Sequence, residues 1–150
     1  MSDSFEAVTG ALWRSLGLVP PGTERPALQI DGRTVDLAPG PDGTQVVISA
    51  SLGRLADGGA RRTEQLRRLL RDGLGLLLTN QAGLRLTAGS DAQVEAVTTA
   101  PCRLDAAPLL RGRIEEVLHL LELHAATLEA DPFAGTHAPM SLGETMLLRL

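Results

Sequence analysis

Few side chains in this chain are of the types that do covalent or metal chemistry, and their spacing limits what they can do. Cys102 is the only cysteine, and no histidine lies within several residues of it. A nucleophilic thiol needs a base beside it and an oxyanion site, so Cys102 reads as an ordinary buried thiol. A Gly-x-Ser-x-Gly turn is absent. Glu115 and His119 stand one helical turn apart, as do His119 and Glu122. Either pair could offer two metal ligands, short of the set that zinc sites use, so they read as solvated helix charge. Gly73-Leu74-Gly75 begins like a dinucleotide loop but lacks the third glycine and the preceding strand. A Gly-Lys-Ser/Thr phosphate loop is impossible, because all 14 basic side chains are arginine. No enzyme chemistry, cofactor or metal is expected.

Arg61, Arg62, Arg67, Arg68 and Arg71 form one basic cluster. It could contact phosphates or an acidic protein. It could also be the solvated face of a helix, with Glu64 placed to pair with Arg68. A net charge of -4, a pI near 5.3 and three aromatic residues argue against nucleic acid and anionic membranes as partners. A chain of 150 residues with 43% hydrophobic content can form one domain that buries roughly 70% of its unfolded surface. Its core must be aliphatic, since Trp13, Phe5 and Phe133 are the whole aromatic complement. The acidic start MSDSFEAVTG does not resemble a signal peptide, and no apolar run of about 18 residues exists. A soluble, cytosolic protein in a reducing compartment is expected.

The elements that must position these residues follow from changes of hydrophobic period. Phe5, Val8, Leu12 and Leu16, with Trp13, predict a helix over 5–18, capped by Asp3 or Ser4 and ended by Gly17 and Pro20-Pro21-Gly22. Leu28-Gln29-Ile30 and Thr34-Val35-Asp36-Leu37 flank Asp31-Gly32, a tight hairpin in which positive φ is needed. Gln45 to Leu52, after the Pro39–Gly43 turn, is apolar on both faces in its first half and reads as a central strand. From Ala60 a second helix carries Leu66, Leu69, Leu70, Gly73, Leu74 and Leu77 on one stripe. Gly73 and Gly75 each cost about 1 kcal/mol there relative to alanine. Either the helix stops near Asp72, or it runs to about Asn80 and Gly73 lets a second helix approach; the stripe favours the longer helix. Leu84–Thr87 and Gln93–Val97 form a hairpin around Gly89-Ser90-Asp91. A last helix, capped by Asp105, carries Leu110, Ile114, Val117, Leu118, Leu121, Ala125 and Leu128 on a broad stripe and ends before Pro132. The expected fold is a single α+β domain over 1–131, in the order α-βββ-α-ββ-α, with an antiparallel sheet packed with helices. The tail over 132–150 includes a capping-box spacing at Ser141–Glu144 before Met146, Leu147 and Leu148.

Leu28-Gln29-Ile30-Asp31-Gly32 with Val35-Asp36-Leu37, Ile48 to Gly53, Leu69-Leu70 to Thr79-Asn80, and Gly83 to Leu86 before the long helix together resemble class I type III secretion chaperones. The likeness spans about 4–130 and rests on element order, size and acidity. It implies a homodimer in the bacterial cytosol that holds the N-terminal segment of a secreted effector and delivers it to the secretion apparatus. By the same resemblance, the dimer seam would fall on Leu66, Leu69, Leu70, Gly73, Leu74, Leu77, Leu84 and Leu86. Cargo would meet Trp13, Leu16, Leu18, Leu28, Ile30, Val35 and Leu37, with Trp13 and Leu18 standing apart from the ordinary core. The tail would cover the empty groove or stay disordered. The competing reading is another protein-binding module, such as an inhibitor or immunity-like protein with a folded partner.

Overall fold

Ser4 opens the first helix, α1 (Phe5–Ser15), by accepting the N–H of Ala7 on its Oγ at 3.2 Å. The computed structural model describes residues 3–22, 25–77, 81–87 and 92–129. α1 stops three residues before the expected Leu18, at a Schellman turn. Gly17, with φ of 72°, donates to the Arg14 carbonyl at 3.0 Å, and Leu18 donates to that of Trp13 at 2.9 Å.

Strands β1 (Ala27–Ile30) and β2 (Arg33–Pro39) meet at Asp31-Gly32, whose φ values of 51° and 77° are those of the expected tight hairpin. β3 (Gln45–Arg54) follows the Pro39–Gly43 turn, which Asp42 braces by accepting the Thr44 N–H at 3.0 Å and its hydroxyl at 2.7 Å. Those two bonds hold the Asp42 carboxyl below the usual carboxylate range. α2 (Gly59–Leu77) runs unbroken through Gly73 and Gly75, as the longer of the two readings expected. The proposed end at Asn80 and the Gly89–Asp91 turn lie outside the described residues, as does the tail. β4 (Gly83–Leu86) and β5 (Gln93–Pro101) complete the sheet.

The strands form one antiparallel sheet in the order β1-β2-β3-β5-β4, with β3 central. The element order is the one the sequence predicts. Alternate residues Val35, Leu37, Val46, Ile48, Ala50, Ala96 and Ala100 point to one face and are buried there with Val8, Leu12 and Trp13 of α1. The last helix, α3 (Ala107–Glu129), closes that core with Leu110, Ile114, Val117, Leu120 and Leu121. A smaller cluster of Leu55, Leu69, Val94 and Leu128 ties α2 to the ends of β3, β5 and α3.

Three local expectations are corrected. Asp105 does not cap α3: it accepts the Arg103 guanidinium, and a single 3-10 turn (Leu104–Ala106) precedes the helix. Asp3 does the capping work from the far end of the chain, accepting the Leu104 N–H at 2.8 Å. The buried stripe of α3 is turned from the expected one, so Leu120 and His124 are buried while Leu118 and Ala125 are half-buried. Trp13 belongs to the core, only 4% exposed, because the α1 face that carries Val8 and Leu12 also turns Trp13 toward the sheet.

Candidate protein-binding site

The residues with chemical potential are already engaged or dispersed. Cys102 is buried and donates its thiol to the Asp3 carbonyl at 3.3 Å; burial, then the Asp3 charge, pushes its pKa up. A thiol held protonated is a poor nucleophile. Glu115 accepts Arg111 at 3.2 Å, and His119 is exposed. Among the described residues no group of three or more potential ligands could hold a metal. In the arginine cluster, Arg67 and Arg68 both close on Glu64, at 3.0 and 3.1 Å. Arg68 first, and then Arg67, holds the Glu64 carboxyl below its usual range. None of the described helices is long and apolar enough to cross a membrane.

What remains is surface shape, at two ends of the sheet. At one end the Schellman turn projects Leu18 and Val19, 49% and 88% exposed, beside half-buried Leu16. A groove of about 1110 Å³ lies between α1, the connector at Pro20-Pro21-Gly22 and the end of β2. Phe5, Gly10 and Pro39 supply its apolar wall, and Glu6, Arg14 and Arg25 its charge. Among the described residues β1 is the free edge of the sheet on this side. Ile30 and Arg33 close a two-residue hairpin, and Leu37 donates to the Pro26 carbonyl at 3.0 Å. The alternation of an antiparallel ladder therefore turns the N–H and C=O of Ala27 and Gln29 outward, away from β2.

Of the residues expected to meet cargo, Trp13, Leu28, Val35 and Leu37 are buried in the core, Leu16 and Ile30 are half-buried, and Leu18 is exposed. Sequence reasoning missed Phe5, Gly10 and Arg14 as groove residues. Gly10 was the available signal, since a glycine inside a short helix leaves one face of it bare.

At the other end, α2 packs against β4. Leu69 is buried, Leu66, Gly73 and Leu84 are half-buried, and Leu70, Leu74 and Leu86 are 66%, 65% and 49% exposed. The expected stripe is thus split, with Gln65 and Leu69 inward and Leu70 and Leu74 outward. Among the described residues a Cβ on Gly73 or Gly75 would meet nothing within 4 Å, so neither glycine serves a contact among them. The side chain of Leu77 lies outside the described residues.

No protein-family model and no curated protein matches the sequence. Solved structures do match it in shape. A chain of the HopA1–SchA chaperone–effector complex aligns with a TM-score of 0.62 at 18% identity, over 81% of this chain and 92% of that one. A chain of the heterodimeric ExoU–SpcU complex, from the type III secretion system of Pseudomonas aeruginosa, gives 0.58 at 14% identity over 79% and 95%. A chain of the ExsC–ExsE complex gives 0.57 at 12% identity over 83% and 92%. The fold is one found in a chaperone–effector complex and in a complex from a type III secretion system. Its two open ends here are the groove with the β1 edge and the leucine face of α2.

Proposed function

We propose that this chain is a class I type III secretion chaperone that binds the N-terminal chaperone-binding segment of a secreted effector. It acts in the bacterial cytosol, without catalysis, and keeps that segment competent for delivery to the secretion apparatus. The observation that carries the reading is the fold, matched over most of both chains to a chain of a chaperone–effector complex. The free edge of β1 and the groove beside α1 support it physically, because an extended segment could add a strand there and place apolar side chains near Leu16, Leu18 and Ile30. Trp13, Leu28, Val35 and Leu37 would support that surface from beneath. Leu70, Gly73, Leu74 and Leu86, together with Leu66, Leu69, Leu77 and Leu84, form the proposed homodimer seam, in which two copies of α2 approach closely at Gly73.

Co-purification with the protein encoded beside its gene, followed by limited proteolysis, tests this. The bound N-terminal segment of the cargo should survive only in the complex, while its flanks remain easily cut. A partner protected throughout as a folded domain would instead favour an inhibitor or immunity-like role.

A further inference from the structure

His124 is the one buried histidine among the described residues, at 1% exposure, and neither ring nitrogen has a hydrogen-bond partner. Buried imidazole nitrogens nearly always find one. Its place in the fold is equally specific. It lies one helical turn after Leu121, which belongs to the main core, and one turn before Leu128, which belongs to the small cluster that holds α2. The geometry points to His124 as an acid-sensitive joint: a proton added to this ring loosens α2, with its exposed Leu70 and Leu74, from the rest of the domain. This concerns the fold itself and holds whether or not the protein carries an effector.

The buried side chains of the strands and of α3 on this side of the domain are largely apolar. β3 and β5, against which α3 packs, bury Ile48, Ala50, Val94 and Ala96, and the buried residues of α3 nearest His124 in sequence are Leu120, Leu121 and Leu128. From α2, Asp72 is the charged group whose field reaches the ring, and its carboxylate is exposed to water. Burial pushes the imidazole below its ordinary pKa of about 6.5, with Asp72 pulling the other way. The sign follows. Well above about pH 6.5 the ring is neutral in folded and opened states alike. Below it the opened state binds a proton that the closed state refuses, so closure is progressively lost as pH falls. One such proton makes opening more frequent at about pH 5.5 than at about pH 7.5, by at most about tenfold. Ordinary carboxylates titrate below that window.

Amide hydrogen exchange on the full chain, corrected for intrinsic rates, is the test. Protection of the amides from Leu66 to Leu70 should fall several-fold, to at most about tenfold, from about pH 7.5 to about pH 5.5, with a smaller change at Ile48 to Ala50. In His124→Leu the fall should disappear. An unchanged α2 in the native chain, an equal fall in β3, or the same fall in His124→Leu would overturn the proposal. Should the variant not fold, NMR titration of the native His124 ring decides: a midpoint below the ordinary histidine value of about 6.5 supports the joint, and one equal or higher refutes it.

Discussion

Gln65 on α2 donates its side-chain amide to the backbone carbonyl of Leu128 on α3 at 3.1 Å, across 63 residues of sequence. Its amide oxygen accepts the Ala56 N–H at 2.9 Å, so one buried polar side chain joins α2, the loop before it and the end of α3. Gln65→Leu would leave that donor and acceptor without partners. Each unsatisfied group costs about 1–3 kcal/mol. The unfolding free energy should fall by about 2 kcal/mol or more, read from the shift of the denaturation midpoint, and an unchanged midpoint would show that water replaces the amide at no cost.

Gly53 sits at the register shift in β3 with φ of 147°, where an added Cβ would stand 3.0 Å from Leu128 Cδ1. Gly53→Ala therefore combines backbone strain with a push on the same leucine. A loss of about 1–3 kcal/mol is expected. Thermal unfolding measures it, and Gly43→Ala serves as a comparison: its φ is also positive, at 69°, but nothing lies within 4 Å of the new Cβ.

On the outer side of α2, Leu70→Glu with Gly73→Glu should give a folded monomer. Leu70 is two-thirds exposed and Gly73 has open space around it, so neither change disturbs the protomer core. Light scattering gives the mass. A double variant that remains dimeric refutes α2 as the seam.

The β1 edge predicts an unusual tolerance. Gln29→Pro removes an N–H that points away from β2, so the ladder survives and circular dichroism should be nearly unchanged. Affinity for an effector segment should drop about two- to tenfold, the worth of one net hydrogen bond. Leu28→Pro is the contrast, since it removes an N–H used inside the sheet and should unfold the hairpin.

The order of elements was legible because each element announces itself locally. Asp31-Gly32 requires a two-residue turn, the alternation around it sets the strand faces, and the leucine period runs through Gly73 without a break. What escaped depends on partners distant in sequence. Asp3 rather than Asp105 meets the N–H of Leu104, because a cap is chosen by proximity in space, and 101 residues separate that pair. Gln65 and His124 look like surface residues on their helices and are buried only because α2 and α3 close on the same sheet end. Trp13 looked available for a partner because its neighbours fill the stripe without it, yet α1 is turned far enough to bury it.

Asp3 also sets the order in which the protein can finish folding. Its N–H donates to the Cys102 carbonyl at 2.9 Å, its carbonyl receives the Cys102 thiol, and its carboxylate holds the 3-10 turn that leads into α3. Every one of these bonds waits for a stretch of chain made about a hundred residues later. At roughly 5–20 residues per second, that is some 5–20 seconds of synthesis. The β1–β2–β3 hairpins can form early from local contacts, while Val8, Leu12 and Trp13 must stay without the α3 half of their core until then. The first helix to be made is thus among the last to be secured.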